Sequence, residues 1–189
     1  MHFSKIYKFI PEKEIIKVKP PVFLTFSTGF FDLMADVCNR AIAMKNKNAV
    51  LDLNLNQIEL LSHKTIRSNV VKFKVMSHAV LRGKNGYLDN VNPSQIEEAI
   101  NTHLKTKLDF FSKNITPIPF NNSIYSPIKL VEHCELAKGV CQHYGGKITS
   151  IRGNFTLEGY PDSLQFLYDY GLGVRTGQGF GLLKVVKQL

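Results

Sequence analysis

What the sequence lacks already narrows the class of protein. No apolar run approaches the roughly 20 residues that a helix needs to span a bilayer. The first residues, MHFSK, do not supply the apolar core and small-residue cleavage site of a signal peptide. Cysteine occurs only three times, an odd number that argues against a secreted disulfide scaffold. We therefore expect a cytoplasmic protein with no membrane partner, and 189 residues are enough for one large or two small domains.

Two familiar nucleotide-binding loops are also missing. No Gly-Lys-Ser/Thr triplet occurs, and a mononucleotide P-loop requires one. The glycine-rich segment GLGVRTGQGFGLLKVV, at 171–186, has Thr176 where a dinucleotide fingerprint needs its third glycine. Residues 180–186 predict a strand, which excludes anion binding at a helix N-terminus. The segment still suggests a loop that lies against phosphates beside Arg175, and the alternative is a long turn without a ligand.

The charge of the chain favours a polyanionic partner. The sequence has 24 basic and 15 acidic residues, a net charge of +9. Each lysine or arginine that contacts a phosphate releases a counterion, so an excess of this kind is typical of nucleic-acid binding. A basic surface that binds nothing is the alternative. Because no long block of one charge occurs, the fold would have to assemble the binding surface.

One group of residues is of the types that bind metal ions: His133, Cys134, Cys141 and His143. A turn at 137–139 would place the two cysteines near each other across a hairpin. However, adjacent strand residues point to opposite faces, and the C-x-x-C spacing of structural zinc sites is absent. We predict no metal and no other cofactor.

Hydrophobic periodicity and turn residues divide the chain into two α+β units. The first, 1–68, predicts strands at 3–10, 15–18, 22–26 and 50–61 and a helix at 28–44. The second, 69–189, predicts strands at 70–81, 128–134, 140–157 and 180–186. It also predicts two helices: the first begins at the cap Asn92-Pro93, and the second lies at 161–170. The order of elements in the second unit, β-α-β-β-α-β, is that of a ferredoxin-like (RRM-like) domain. The first unit matches the same fold without its first strand and helix, so an exposed sheet face or edge is expected there.

Several segments in this order resemble one family: FKVMS at 73–77, Tyr87-Leu88, GNFTLEG at 153–159 and the glycine-rich segment at 171–186. They are similar to the CRISPR-associated endoribonucleases that process repeat RNA, the sixth Cas protein family of the RAMP superfamily. The resemblance spans the whole chain and is strong from about residue 70 onward. It implies tandem ferredoxin-like domains that bind a repeat hairpin, and metal-independent cleavage that leaves a 2′,3′-cyclic phosphate.

The N-terminus departs from the family pattern. Members usually begin with a strand and a helix before the segment that residues 2–6 resemble, and in many of them this region or its sequel supplies a general-base histidine. The resemblance therefore implies that this region is lacking here, and it assigns no catalytic residue. We expect His103 to flank the helix core and His133 and His143 to contact RNA rather than catalyse. His63 and His78 remain weaker candidates for proton transfer.

The predicted RNA-binding residues lie on the hairpin and the glycine loop. They are Lys138, Tyr144, Lys147, Arg152, Gly171, Gly173, Arg175, Gly177, Gly179 and Gly181. We expect the basic residues to line one face and Tyr144, rather than Phe180, to stack on a base. The expected partner is CRISPR repeat RNA or guide RNA, with Cas effector subunits or a second copy of the chain as further candidates. Two alternatives stay open: an RNA-binding member without catalysis, and an unrelated enzyme that acts on small phosphates.

Overall fold

A computed structural model describes residues 22–45, 55–115 and 126–189, together with the backbone of two short N-terminal strands. These strands, β1 at Lys8–Phe9 and β2 at Ile16–Lys17, pair antiparallel. Both lie inside strands that the sequence predicted. The remaining residues of those predicted strands lie outside the described part of the chain.

Residues 22–28, before the first helix, form neither helix nor strand, so the strand prediction for 22–26 is wrong. Helix α1 follows at Phe31–Met44, three residues later than predicted. The Phe30 ring stacks on Phe111, with ring centroids 5.4 Å apart, and lies edge-on to Tyr170. Residues of high β-propensity form a strand only where a neighbouring strand can pair with them. Here the Phe30 side chain holds the segment instead, because it packs against one residue near the end of each of the two later helices.

The segment that leads into the C-terminal domain is attached to it by hydrogen bonds. Residues 55–61, predicted as the end of a strand, form neither helix nor strand, and residues 50–54 lie outside the described ones. Further along, the Ile66 N–H donates to Gln165 Oε1 at 2.8 Å, and the Arg67 N–H donates to Gln188 Oε1 at 2.8 Å. The side chains of the last helix and strand thus satisfy the backbone of an irregular segment.

From residue 70 onward the elements follow the order that the sequence predicted. They are β3 (Val70–Ala79), β4 (Arg82–Gly83), β5 (Gly86–Tyr87), α2 (Pro93–Asn114), β6 (Lys129–Glu132), β7 (Leu136–His143), β8 (Gly146–Glu158), α3 (Pro161–Tyr170) and β9 (Leu183–Gln188). Strands β6, β8, β3 and β9 pair in that order, β7 pairs with β8 as well, and every pairing is antiparallel. Strands β6 and β7 together occupy one edge beside β8. This order is that of a ferredoxin-like domain, which confirms the predicted α+β class and ferredoxin-like fold. That the first unit is an incomplete copy stays a prediction.

One hydrophobic core lies between the sheet and the two helices of this domain. Phe73 and Phe155 are paired across β3 and β8, are fully buried and have ring centroids 6.0 Å apart. Helix α2 contributes Ile96, Ile100 and further buried residues to the same cluster, and α3 contributes Leu164, Phe166 and Leu167. Because strand side chains alternate, the opposite face of the sheet is left for polar residues.

Helix α2 begins where the sequence predicted. Asn92 Oδ1 accepts the N–H of Gln95 at 3.2 Å, and Pro93 occupies the first helical position. The side chain therefore satisfies one of the N–H groups that a helix leaves unpaired at its start. None of the helices in the described residues is long and apolar enough to cross a membrane.

The hairpin turn lies further along the chain than predicted. Residues 137–139 are in the middle of β7, and the turn falls at Tyr144 and Gly145, whose φ angles are 46° and 76°. Two consecutive left-handed residues match the twist of the flanking strands, which makes this the favoured hairpin geometry. Cys141 consequently pairs with Ile148 and does not face Cys134 across the hairpin.

His103 is buried at the boundary between α2 and the β4–β5 hairpin. Its Nε2 lies 3.0 Å from the carbonyl oxygen of Arg82, whereas its Nδ1 is buried without a hydrogen-bond partner. Burial, with a smaller effect of Lys107, lowers the pKa of His103 to about 4. The ring is therefore neutral at pH 7 and donates its Nε2 proton, which agrees with a place in the helix core.

This burial predicts a specific loss of stability in acid. The unfolded chain binds a proton at His103 near pH 6.5 and the folded protein only near pH 4, so the free energy of unfolding falls as the pH drops through this window. Between pH 7 and pH 4 the unmodified protein should lose about 3 kcal/mol more than His103→Gln does. Urea unfolding of both proteins across this range measures the difference. Parallel stability curves would contradict it.

Candidate functional site

The glycine-rich segment at 171–181 forms a compact loop between α3 and β9. Gly171, Gly173, Gly179 and Gly181 have φ angles between 77° and 90°, a region that glycine enters without steric cost. The Leu172 N–H donates to the carbonyl oxygen of Gly181 at 2.8 Å, which closes the loop, and the Leu172 side chain is fully buried. The loop is therefore part of the packed fold rather than an open turn.

Neighbouring elements hold this loop at both ends. At one end the Val174 N–H donates to the Val80 carbonyl oxygen at 2.9 Å, and the Gly181 N–H donates to that of His78 at 2.8 Å. At the other, Lys107 Nζ on α2 donates to the Gly171 carbonyl oxygen at 2.7 Å. Burial lowers the pKa of Lys107 to about 8. A cation at this place also complements the negative end of the α3 dipole.

Three of the predicted RNA-binding glycines are needed for packing. A Cβ atom at Gly173 would lie 2.2 Å from the Val80 carbonyl oxygen, and one at Gly181 would lie 2.0 Å from that of Leu172. Gly171 is buried in the same way, with Thr176 and the Gly181 carbonyl against it. Gly177, in contrast, is exposed, and a Cβ atom added there would meet no neighbouring atom within 4 Å. RNA contact by these glycines stays a prediction.

Arg175 is presented at the outer turn of the loop. Its own φ is 60°, an unusual conformation for a residue with a side chain. Arg175 Nε and Nη2 both donate to the Tyr87 hydroxyl, at 3.0 and 2.7 Å, and the guanidinium carbon lies 5.6 Å from the centre of the Tyr87 ring. Nη1 donates to Gln178 Oε1 at 3.0 Å. The β4–β5 hairpin therefore fixes the guanidinium that the loop carries.

No carboxylate neutralises this guanidinium within the described residues. Its partners are a phenol and an amide, both uncharged, and Arg175 belongs to none of the ion pairs found there. An arginine has five N–H donors, and three of those of Arg175 are used. The remaining two and the uncompensated charge suit a phosphate group.

The tip of the β7–β8 hairpin meets the glycine loop. His143 Nε2 lies 2.9 Å from Gln178 Oε1, and its ring is edge-on to Phe180 with centroids 5.3 Å apart. Tyr144 follows at the turn, is 87% exposed and has its ring centroid 4.3 Å from that of His143. Tyr144 is more exposed than the half-buried Phe180, and stacking of Tyr144 on a base stays a prediction.

The other predicted basic residues do not share one face. Strands β7 and β8 pair without a shift in register, so successive pairs point to opposite faces. Arg152 pairs with Ala137 and lies on the same face as His143. Lys138 and Lys147 lie together on the other face, and both are exposed. The hairpin thus presents cations on both sides.

The open face of the sheet carries further positive charge. Lys74 and Lys184 are directly opposite each other on β3 and β9, both are exposed, and neither has an ion-pair partner among residues 22–45, 55–115 and 126–189. Like charges directly opposite each other destabilise a sheet. Lys72 differs, because its Nζ lies 2.5 Å from a carboxylate oxygen of Glu135. A bound polyanion would relieve the repulsion between Lys74 and Lys184.

His78 lies on this open face beside the loop. Its Nδ1 is 2.8 Å from the hydroxyl of Ser150. Burial and, to a smaller degree, the Arg152 cation lower the pKa of His78 below its ordinary value. His63, the other weaker candidate, has its Nε2 2.7 Å from Asp169 Oδ1 on α3. In the part of the chain that the structure describes, no group of three or more metal-type ligands comes together.

Sequence reasoning missed the residues that surround Arg175. Tyr87 and Gln178 were not among the predicted site residues, although both contact Arg175. His143 was expected to contact RNA, but its contact with Gln178 was not predicted, because a turn at 137–139 would place His143 away from the tip of the hairpin. Tyr87 carried a signal, since it belongs to one of the segments on which the family resemblance rests.

Residues 61–185 match the family described as "CRISPR associated protein Cas6, C-terminal". This match covers more than half of the chain and includes all of the loop and hairpin. The chain belongs to the Cas6 family. Membership supports binding and processing of CRISPR repeat RNA. It confirms the resemblance to this RAMP-type family that the sequence showed. None of the curated proteins matches the sequence.

Solved structures support the Cas6 fold at low sequence identity. The product of a Cas6-related gene from Pyrococcus furiosus superposes with a TM-score of 0.71 at 19% identity, over 100% of this chain and 79% of that one. A RAMP protein described as binding different RNA substrates gives 0.61 at 17% identity, over 98% and 79%. A CRISPR associated protein Cas6 gives 0.65 at 15% identity, over 85% and 66%. At such identities the likeness concerns the fold alone.

The loop geometry of this Cas6 protein predicts that two glycine substitutions will differ sharply. Gly173→Ala forces a Cβ against the Val80 carbonyl at a positive φ, so it should lower the free energy of unfolding by about 2 to 4 kcal/mol. Gly177→Ala, where the added methyl meets open space, should change it by less than about 0.5 kcal/mol. Urea unfolding of both variants tests this. Equal stability of the two would show that the loop is not packed as described.

Proposed function

We propose that the protein binds CRISPR repeat RNA and cleaves it without a metal ion, leaving a 2′,3′-cyclic phosphate. The observation that supports this most directly is the fixed Arg175 guanidinium, which the loop presents without a neutralising carboxylate among the described residues of a Cas6-family fold. Pre-positioned cations bind phosphate with a smaller loss of side-chain entropy than mobile ones do. The exposed Tyr144 beside it offers a ring for an unpaired base.

The rest of the basic surface supports a long anionic ligand rather than a small one. One domain carries several separate sites of positive charge. They are Arg175 at the loop, Arg152 on the open face and the Lys74–Lys184 pair across β3 and β9. A small phosphate ester occupies one such site, whereas an RNA strand reaches several. We therefore favour RNA over the small-phosphate substrate, and we assign the binding to the domain that we propose at 69–189.

Cleavage in the presence of EDTA tests this function. A labelled repeat RNA from the same genome is incubated with the protein, with EDTA and with added Mg²⁺ in parallel. We expect one specific cut at equal rates in both, and a product whose 3′ end is a cyclic phosphate. Tight binding without cleavage would instead support a non-catalytic RNA-holding member of an effector complex. Absence of binding would overturn both assignments.

Arg175→Ala should weaken binding of the repeat RNA roughly 10- to 100-fold, because it removes charge-assisted hydrogen bonds to phosphate. The slope of log Kd against log salt should also fall by about 1. Fluorescence anisotropy at several salt concentrations measures both quantities. Lys105→Ala, an exposed position on α2 away from the loop, is the matched control and should change neither. An Arg175→Ala protein with unchanged affinity at all salt concentrations would refute the role of this residue.

A further inference from the structure

We propose that the carboxylates of Glu132 and Glu135 end the path of RNA across the open face of the sheet, because they occupy Lys72 in place of a phosphate. This role rests on the RNA-binding part of the proposed function and does not depend on whether the strand is cut. It makes Lys74 the last cation of β3 that the RNA reaches from the side of the glycine loop.

Four lysines form two facing pairs on adjacent strands of the open face. Lys72 on β3 is opposite Lys187 on β9, and Lys74 on β3 is opposite Lys184 on β9. Alternate residues of a strand share a face, so Lys72 and Lys74 are about 7 Å apart along β3. Successive phosphates of a nucleic-acid strand have a comparable spacing. By position alone, both pairs would therefore follow an RNA backbone.

Lys72 is the lysine of these four that is neutralised within the part of the chain that the structure describes. Its Nζ lies 2.5 Å from Glu135 Oε1 and 3.7 Å from Glu132 Oε2. The other three are exposed and belong to none of the ion pairs found there. The two carboxylates thus remove one position from an otherwise regular set of cations.

Backbone packing holds the turn between β6 and β7 that carries these carboxylates. At Gly153, whose φ is 117°, a Cβ atom would lie 2.0 Å from the carbonyl oxygen of Glu135. The turn therefore rests directly on β8. The Leu136 N–H also donates to the His133 carbonyl oxygen at 2.9 Å, which closes the turn. The position of Glu135 over Lys72 is consequently fixed by more than the ion pair itself.

Neutral donors on β8 hold the same carboxylates. The Asn154 amide donates to Glu135 Oε2, and the buried Thr156 hydroxyl donates to Glu132 Oε2 at 2.9 Å. Both oxygens of Glu135 are therefore used, one by Lys72 and one by Asn154. A phosphate that approached Lys72 would have to replace a pre-positioned carboxylate and would meet two fixed negative charges. Repulsion of this kind excludes a ligand from one position without weakening the neighbouring ones.

An ion pair that serves only the stability of the fold is the competing explanation. Glu135 relieves the repulsion between Lys72 and Lys187, and on this explanation its loss would affect unfolding and leave RNA binding unchanged. However, the same repulsion is left in place between Lys74 and Lys184, and exposed ion pairs add little stability. The salt dependence of RNA binding separates the two explanations.

Fluorescence anisotropy with the labelled repeat RNA, at several salt concentrations, tests the role of the carboxylates. Glu135→Gln keeps the size of the side chain and removes its charge, which frees Lys72 for a phosphate. Kd should fall about three- to tenfold, and the slope of log Kd against log salt should rise by about 0.7 to 1. Glu132→Gln should act in the same direction but less, because its oxygen is farther from Lys72. Thermal unfolding establishes that the variants are folded.

Further variants test the same role without relying on Glu135→Gln alone. Lys74→Ala should lower the slope by about 0.7 to 1. Lys72→Ala combined with Glu135→Gln removes the ion pair as a whole, so Kd and slope should equal those of the unmodified protein. Asp109→Asn is the matched control, because it changes the net charge by the same amount at an exposed position of α2, on the other side of the sheet. It should change neither quantity.

The outcomes distinguish this role from the proposed function. If the unmodified protein binds RNA and Glu135→Gln leaves Kd and slope unchanged, or Asp109→Asn alters them as much, the role is refuted and the proposed function stands. A double variant whose slope falls to that of Lys74→Ala would also refute it, since Lys72 would then contact RNA already. If the unmodified protein does not bind RNA, both fail.

Discussion

The contact between the glycine loop and the end of strand β3 is the constraint on which the site depends. Gly173 lies so close to the Val80 carbonyl that no side chain fits, and hydrogen bonds from Val174 and Gly181 hold the loop to the same strand. Leu172, buried between these contacts, anchors the loop in the core. The position of Arg175 is thus set by backbone packing, and its guanidinium needs no carboxylate to hold it.

The charges of the domain are arranged in two different ways. Lys72 is neutralised by Glu135, whose pKa is lowered mainly by a hydrogen bond from Asn154 and also by the lysine. Arg175 has neutral partners, and Lys74 faces Lys184. Since surface ion pairs add little stability, the first arrangement mainly limits the area of positive charge. The second keeps cations free for a ligand while leaving a repulsion in the unbound fold.

The sequence predicted those features that depend on local chemistry. The Asn92 cap, the bounds of α3 and the strand after the glycine loop follow from residues close together in the chain. The hairpin turn was misplaced because the favoured turn usually has Asn-Gly or Asp-Gly, whereas here Tyr144 takes the first left-handed position. The contact of Arg175 with Tyr87 joins residues 88 positions apart. Only the tertiary fold brings such residues together.

The loop contains two kinds of glycine that composition alone cannot distinguish. Gly171, Gly173 and Gly181 are buried and let backbones approach, so their presence follows from packing whether or not RNA touches them. Gly177 has open space around it, so packing does not require glycine there. An RNA backbone that approaches the loop closely would require it. Of the loop glycines compared in this way, Gly177 is therefore the one whose occurrence the packing of the fold does not explain.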